Sequence, residues 1–204
     1  MYIPEIYKNN NPEEIKTFLE QNSFGILVNL TDGKLWATHI PLELETKENG
    51  EQILFGHLAK NNPQWKSFIH NNEILAIFSG PQSYISPSWY DHENVPTWNY
   101  IAVHVYGTIK IVEGERLIEI LKKQIDKYEK NSENPVRIEN LSRETMKEAQ
   151  GIIAFEIEIN DIQAVKKMSQ NRDDKNYENI IVALKNTGKP DENAVAETML
   201  KCPR

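Results

Sequence analysis

The chain has 204 residues, with 23 Lys and Arg against 30 Asp and Glu, a formal net charge of -7. A chain of this length buries roughly 70% of its unfolded surface, and four Trp, eight Tyr and six Phe exclude disorder throughout. A single cysteine, Cys202, excludes a disulfide scaffold and fits a reducing cytoplasm, and with five scattered His it builds no structural zinc site. The start, Met1 to Glu5, lacks the pattern of a signal peptide, and no apolar run is long enough to span a membrane. The acidic balance argues against a large nucleic-acid footprint.

Asn11-Pro12-Glu13-Glu14 is a helix start, with Asn as cap, Pro at the first helical position and acids in the first turn. Phe24 to Leu30 reads as a strand, and Asp32-Gly33 as the turn of a hairpin whose returning strand is Leu35 to Leu44. Glu48-Asn49-Gly50 turns into a third strand, Gln52 to Leu58. Pro63 to Ile69 is a short helix, Glu73 to Ser79 a fourth strand, and Gly80 to Asn94 is irregular. Tyr100 to Val112 alternates as a long fifth strand, with Ile101, Val103, Val105, Gly107, Ile109 and Ile111 on one face. Leu117, Leu121, Ile125 and Tyr128 carry a helical spacing over Gly114 to Lys130. Ser142 to Gln150 reads as a short helix, Ile152 to Ile159 as the sixth strand, and Lys175 to Lys185 and Asp191 to Leu200 as two closing helices. Six hairpin-linked strands with added helices predict an α+β fold on an antiparallel barrel, whose closure removes exposed edges. No repeat, low-complexity tract or interdomain linker interrupts it.

Phosphate-loop, dinucleotide-fingerprint, zinc-protease and nucleophile-elbow motifs are missing from the sequence. Polar residues stand instead where strands should be apolar. Thr38 and His39 are adjacent, so one faces each side of the sheet. They read either as a hydrogen-bonded pair on a half-exposed strand or as ligand contacts. Gly56-His57-Leu58-Ala59-Lys60-Asn61-Asn62-Pro63 runs from a strand end into a helix. Free backbone N–H groups and Lys60 suit a phosphate there, or Asn61 or Asn62 caps the helix while Lys60 is solvated. Tyr84, Ser86, Trp89, Thr97, Trp98 and Asn99 mix aromatics with hydrogen-bonding groups. Such a mixture lines a slot for a planar heteroaromatic ligand, or forms a satellite core under a long loop. His92, between Asp91 and Glu93, reads as solvated rather than as a metal ligand. Lys166 to Arg172 gathers three cations with Ser169, Gln170 and Asn171, either an anion and amide-edge reader or a surface turn. Flavin mononucleotide (FMN) would account for all four segments.

Thr38-His39-Ile40-Pro41, Gly56 to Trp65, Tyr84 to Tyr90, Val95 to Tyr100 and Lys167 to Arg172 resemble, in this order from Met1 to about Met199, the PaiB family. That family is described as FMN-binding negative transcriptional regulators, linked in bacilli to repression of sporulation and degradative-enzyme genes. It is grouped with the FMN-binding split barrels related to pyridoxamine phosphate oxidase. The resemblance implies one six-stranded split β-barrel domain over residues 1–204, with peripheral helices and a C-terminal helical extension at about 173–204. It also implies a cytoplasmic homodimer with FMN sites at the subunit interface. Carried over by position, the FMN contacts are Thr38, His39, His57, Lys60, Asn61, Tyr84, Ser86, Trp89, Thr97, Trp98, Asn99, Lys167, Gln170 and Arg172. The strand end from Gly56 to Asn62 matches the phosphate site of split-barrel flavoproteins. Split-barrel oxidases carry an Arg and a Lys on the strand matched by Leu35 to Leu44, where this chain has Lys34 at the turn. That departure argues against oxidase activity and against tight FMN binding, and no catalytic residue is assigned. The alternative is a flavin-dependent oxidoreductase with His39, His57 and Tyr84 as acid/base candidates, or a haem-handling variant with a His axial ligand. Residues 173–201 carry four Lys against six Asp and Glu, and the last helix opens on Asp191-Glu192. Direct DNA contact is therefore not supported by charge.

Overall fold

The computed structural model describes residues 1–202, so Pro203 and Arg204, the end of the expected extension, lie outside the described residues. In chain order the elements are α1 (Pro12–Gln21), β1 (Phe24–Thr31), β2 (Lys34–Pro41), β3 (Glu43–Thr46), β4 (Gln52–Ala59) and β5 (Glu73–Ile85). They continue with β6 (Thr97–Val112), α2 (Glu115–Tyr128), α3 (Arg143–Met146), β7 (Ile152–Lys167), α4 (Asp174–Asn186) and α5 (Pro190–Leu200). The seven strands hydrogen-bond in the order β2-β1-β5-β6-β7-β4-β3. β1 pairs antiparallel with β2 and β5, and β4 pairs antiparallel with β3 and β7.

The count is seven strands rather than six because the expected strand Leu35 to Leu44 breaks at its middle. Pro41 has no N–H for a ladder. Leu42, fully buried, turns its N–H to the Ser23 carbonyl at 2.8 Å instead of to a strand partner. β2 and β3 therefore lie at opposite ends of the strand order while one residue apart in the chain. The Asp32-Gly33 turn forms as expected, with φ of 51° and 74° at the two residues, the left-handed pair such hairpins require. β5 and β7 run on past their expected ends to Ile85 and Lys167, and β6 begins earlier, at Thr97. The expected helix at 142–150 is α3 followed by a 3-10 turn, Lys147–Gly151.

The chain divides into two compact units. The first holds residues 1–18, 78–104 and 163–204; the second holds 19–77 and 105–162. In the second unit, Leu27, Leu54, Ile109 and Ile157 are buried with Phe68, whose ring meets Phe155 edge-on at 5.9 Å. Two glycines answer close approaches. A Cβ on Gly56 would lie 2.8 Å from the Pro41 carbonyl oxygen, and one on Gly107 would lie 2.3 Å from that of Glu158. The α2 stripe differs from its expected one: Ile120 and Gln124 are the buried positions, while Leu121 and Ile125 line an apolar cavity of about 220 Å³ with Ile138 and Met146. Arg116 on α2 pairs with Glu45 at 2.7 Å, with Glu119 at 2.8 Å and with Glu156 at 2.5 Å, and Lys123 pairs with Glu45 at 2.6 Å.

The outward face of β2-β1-β5 is apolar. Cross-strand partners share a face, so the registers Val28↔Ala37, Val28↔Leu75, Leu30↔Leu35 and Ile26↔Ile77 set a largely apolar surface, on which His39 stands opposite Ile26. Phe24 at its edge is 66% exposed and Leu35 is 80% exposed. Surfaces of this kind mark interaction sites on soluble proteins.

The first unit is built on the helix pair. Ile180, Leu184, Val195, Ala196 and Met199 of α4 and α5 pack with Ile85, Met168 and Tyr177, and Trp89 lies against them. Asp173 caps α4 by accepting from the Asn176 N–H at 3.0 Å. Asn176 also donates to Asp91 at 2.9 Å, and Lys175 reaches Asp91 at 2.8 Å, so the loop after Trp89 is clamped to the start of α4. Among the described residues no helix is long and apolar enough to cross a membrane, and no group of three or more His, Cys, Asp or Glu is placed to hold a metal.

Candidate functional site

The second unit orders the end of β2 around one buried amide. Gln64, fully buried, stands in the short 3-10 segment Pro63–Ile69, where Asn62 caps its N–H at 3.1 Å. Its Oε1 accepts from the Thr38 hydroxyl at 2.5 Å. Its Nε2 donates to the Leu27 carbonyl at 3.1 Å and to Asn29 Oδ1 at 3.0 Å. Asn62 Nδ2 completes the ring by donating to Thr38 Oγ1 at 2.9 Å. Thr38 is thus held by two amides, while the neighbouring His39 is exposed on the other face, 6.5 Å from the Phe24 ring. His57 is half-buried, with Nδ1 2.7 Å from Gln124 Oε1 on α2; the Gln124 Nε2 has no partner. Lys60 and Asn61 are exposed, and Lys60 lines a cavity of about 550 Å³ with Ile111, Val112, Leu117 and Ile153.

The first unit gathers the remaining candidates at the end of β7. Lys166 is paired with Glu14. Lys167 donates to the Thr97 hydroxyl and lies over the Tyr7 ring at 5.6 Å. Arg172 lies over the Tyr90 ring at 5.1 Å. Among the described residues no carboxylate lies within ion-pair distance of Lys167 or Arg172. Asp173, next in the chain to Arg172, gives both carboxylate oxygens to Asn176. Burial and the like charge of Arg172 push the Lys167 ammonium below the ordinary lysine range. Two cations without a counter-ion suit a phosphate or another anion.

The other candidates divide by what occupies their polar atoms. Asn99 is fully buried, accepting from Ser169 Oγ at 3.0 Å and facing Met199 Sδ at 3.5 Å, which makes it a strut between β6 and the turn. Gln170 closes that turn on itself, accepting from the Met168 N–H and donating to the Lys166 carbonyl, each at 2.7 Å. Ser86 caps the short turn Pro87–Trp89, accepting from the Ser88 N–H at 3.2 Å. Tyr84 and Trp98 are different: 44% and 53% exposed, they meet edge-on at 6.1 Å and present an aromatic ledge. Trp98 follows Thr97 on β6, so the ledge faces the opposite side of the strand from the residue that holds Lys167. The structure therefore brings Thr38 together with Asn62 and Gln64, and brings Thr97, Lys167 and Arg172 together with Ser169. Gln64, Tyr7 and Tyr90 were missed from sequence. Gln64 had a signal, a polar residue at the cap of a short helix; Tyr7 had none.

The family model described as "Putative FMN-binding domain" matches residues 1–161. A Bacillus subtilis (strain 168) protein named protease synthase and sporulation protein PAI 2 is 46% identical over 200 residues, 98% of this chain and 96% of its own. An uncharacterized protein of Emericella nidulans is 27% identical over 231 residues, covering 92% of each chain. Among solved structures, the FAD and heme binding protein from Mycobacterium smegmatis aligns at a TM-score of 0.63 and 15% identity, over 86% of this chain and 80% of that one. A flavocytochrome from Azotobacter vinelandii aligns at 0.64 and 15%, over 87% and 78%. These two likenesses show a shared fold. The model covers most of the sequence and the bacillar relative nearly all of it, so the chain belongs to the family of the FMN-binding domain.

Proposed function

We propose that this protein is a cytoplasmic, FMN-binding homodimer that represses transcription, as the PaiB resemblance implies. The observation that carries the cofactor is the Lys167–Arg172 pair, two cations that no described carboxylate neutralises, in the same unit as the exposed Tyr84–Trp98 ledge. The chemistry of this donor set fits FMN. Cations suit its phosphate and aromatic faces suit its ring. In the other unit Lys60, Asn61 and His39 are exposed. Asn99, Ser86, Trp89 and Gln170 act behind this surface, holding it in place. Bound FMN would supply a redox-active ring, while the chain's own groups bind and orient it.

A second copy covers the apolar face of β2-β1-β5. The rows from Phe24 to Leu30, Leu35 and Ala37, and Leu75 and Ile77 carry no Asp, Glu, Lys or Arg, and His39, opposite Ile26, is the titratable group on this part of the face, so two identical faces meet without burying a carboxylate or an ammonium. The split-barrel form belongs to the same reading, supported by the single residue, Leu42, between the two ends of the strand order. So does a single domain with a helical extension from about residue 173. Regulation reaches DNA indirectly, through a protein or a metabolite, because α5 opens on Asp191 and Glu192 where a reading helix needs cations or amides.

The test is a titration of the purified protein with FMN, followed by flavin fluorescence quenching, with the mass in solution measured alongside. Saturation at one FMN per chain in a dimer is expected. Absence of quenching at high FMN removes the cofactor from the proposal, and a monomeric mass removes the interface.

A further inference from the structure

Lys60 follows β4, at the strand end where the resemblance places the phosphate of the flavin. Its backbone is held on both sides. The Lys60 N–H donates to the Gly151 carbonyl at 2.8 Å, and the Lys60 carbonyl accepts from Trp65 Nε1 at 2.8 Å. The next donor, the Asn61 N–H, has no described partner. The Lys60 side chain is exposed and lines a cavity of about 550 Å³, whose walls all belong to the second unit. Small-molecule sites span about 300–1,000 Å³, so this space holds more than a single phosphate.

The chain turns from β6 into α2 at Gly114, whose φ of 62° is left-handed. Val112 and Leu117, on either side of that turn, pack against one core cluster that includes Ala154 of β7. Both line the cavity together with Ile153, and these aliphatic walls suit the faces of a flat base. Three polar side chains complete the lining: Lys60, Glu113 and Gln150. Gln150 sits in the 3-10 turn that the Lys60–Gly151 bond ties to the strand end. Each polar type answers one part of an adenosine phosphate. A cation pairs with the phosphate. A carboxylate accepts from the ribose hydroxyls, as in dinucleotide-binding folds. An amide both donates to and accepts from the edge of the base. A plain hydrocarbon chain would gain nothing from Glu113 and Gln150.

We propose that this cavity receives the adenosine of flavin adenine dinucleotide (FAD), so that the strand end at Lys60 holds its diphosphate and the protein binds FAD more tightly than FMN. This rests on the flavin reading above, with the phosphate at the strand end after β4. It adds the second nucleotide half to the same site.

The experiment titrates the full chain and three variants with FMN and with FAD in a calorimeter. The wild type binds FAD about tenfold tighter than FMN, the gain left after the adenosine has been ordered. Glu113→Leu removes the carboxylate, and Ala149→Trp fills the cavity from a residue of its wall. Each brings FAD to within about twofold of FMN while FMN affinity stays within about twofold of wild type. Lys60→Met weakens both flavins about tenfold. Melting curves without flavin show which variants fold; Glu113 is exposed, so Glu113→Leu carries the test if Ala149→Trp melts early. FMN binding with FAD no tighter overturns the inference and leaves the FMN reading standing. Binding of neither flavin overturns both. A preference for FAD that survives in Glu113→Leu overturns the inference, because the adenosine then lies outside this cavity. Unchanged affinity for both flavins in Lys60→Met overturns it as well, by removing the diphosphate from the strand end.

Discussion

Replacing Gln64 by leucine tests whether one buried amide holds the end of β2. The side chains are similar in size, so the change deletes polarity with little cavity. Three hydrogen bonds and one long contact disappear: from Thr38 Oγ1 at 2.5 Å, to the Leu27 carbonyl at 3.1 Å, to Asn29 Oδ1 at 3.0 Å and, at 3.5 Å, to the Trp36 carbonyl. Asn29 keeps its bonds to Ser67 and Thr31, and Thr38 keeps Asn62 as a donor. At about 1 kcal/mol for each lost bond, the expected destabilisation is about 3 kcal/mol. For a chain of 204 residues that lowers the melting midpoint by roughly 6–12 °C in differential scanning calorimetry. Thr38→Val removes the bond to Gln64 and the one that Thr38 accepts from Asn62, so it should cost about 2 kcal/mol. A fall of less than about 1 kcal/mol in Gln64→Leu would refute the reasoning, because the buried acceptors would then have found other partners or water.

Three further outcomes follow from the second unit. Gly107→Ala forces a Cβ to within 2.3 Å of the Glu158 carbonyl oxygen; the backbones must separate, at a cost of about 3 kcal/mol in urea unfolding, and a neutral alanine would mean the strands part freely. Val28→Glu places a charge in the middle of the apolar face of β2-β1-β5; light scattering should find monomer with an unchanged circular dichroism spectrum, and a persistent dimer moves the interface elsewhere. Burial acts to raise the Glu45 pKa, but hydrogen bonds and charges from Lys123 and Arg116 outweigh it and hold the carboxyl below the ordinary glutamate range. A depressed carboxyl adds stability that is present above its unfolded pKa and lost as pH falls through the folded one. Glu45→Gln should therefore lower stability at neutral pH and flatten the acid side of the melting profile, and a profile parallel to wild type would refute this.

The fold was legible where period and turn chemistry agreed. Asp32-Gly33 took the left-handed pair that a tight hairpin needs, and Val103, Val105, Gly107 and Ile109 turned inward together on β6. The strand count was missed at Pro41, where apolar residues run on through a break that the chain makes by sending the Leu42 N–H to Ser23. Hydropathy does not record where a ladder stops. The stripe on α2 was misplaced by one position for a similar reason: its buried members include Gln124, an amide that pattern reading assigns to solvent. The candidate site was legible as a set of segments but not as roles. Lys167 and Arg172 keep charge that no described carboxylate matches, while Thr38, Asn99, Gln170 and Ser86 have their polar atoms engaged within the fold.

That division gives a criterion for this protein. A buried amide or hydroxyl looks the same in sequence whether it serves a ligand or the fold, and the structure separates the cases by counting what each group still has to offer. Asn99 has its oxygen taken by Ser169 and its nitrogen turned to Met199. Gln64 has both ends engaged. Lys166 has Glu14. Lys167 and Arg172 retain uncompensated charge, and holding two cations together in a partly buried turn opposes folding. A fold keeps such a pair when its charge is matched by something outside the chain. The neighbouring Lys166, one residue before Lys167, is matched within the chain by Glu14.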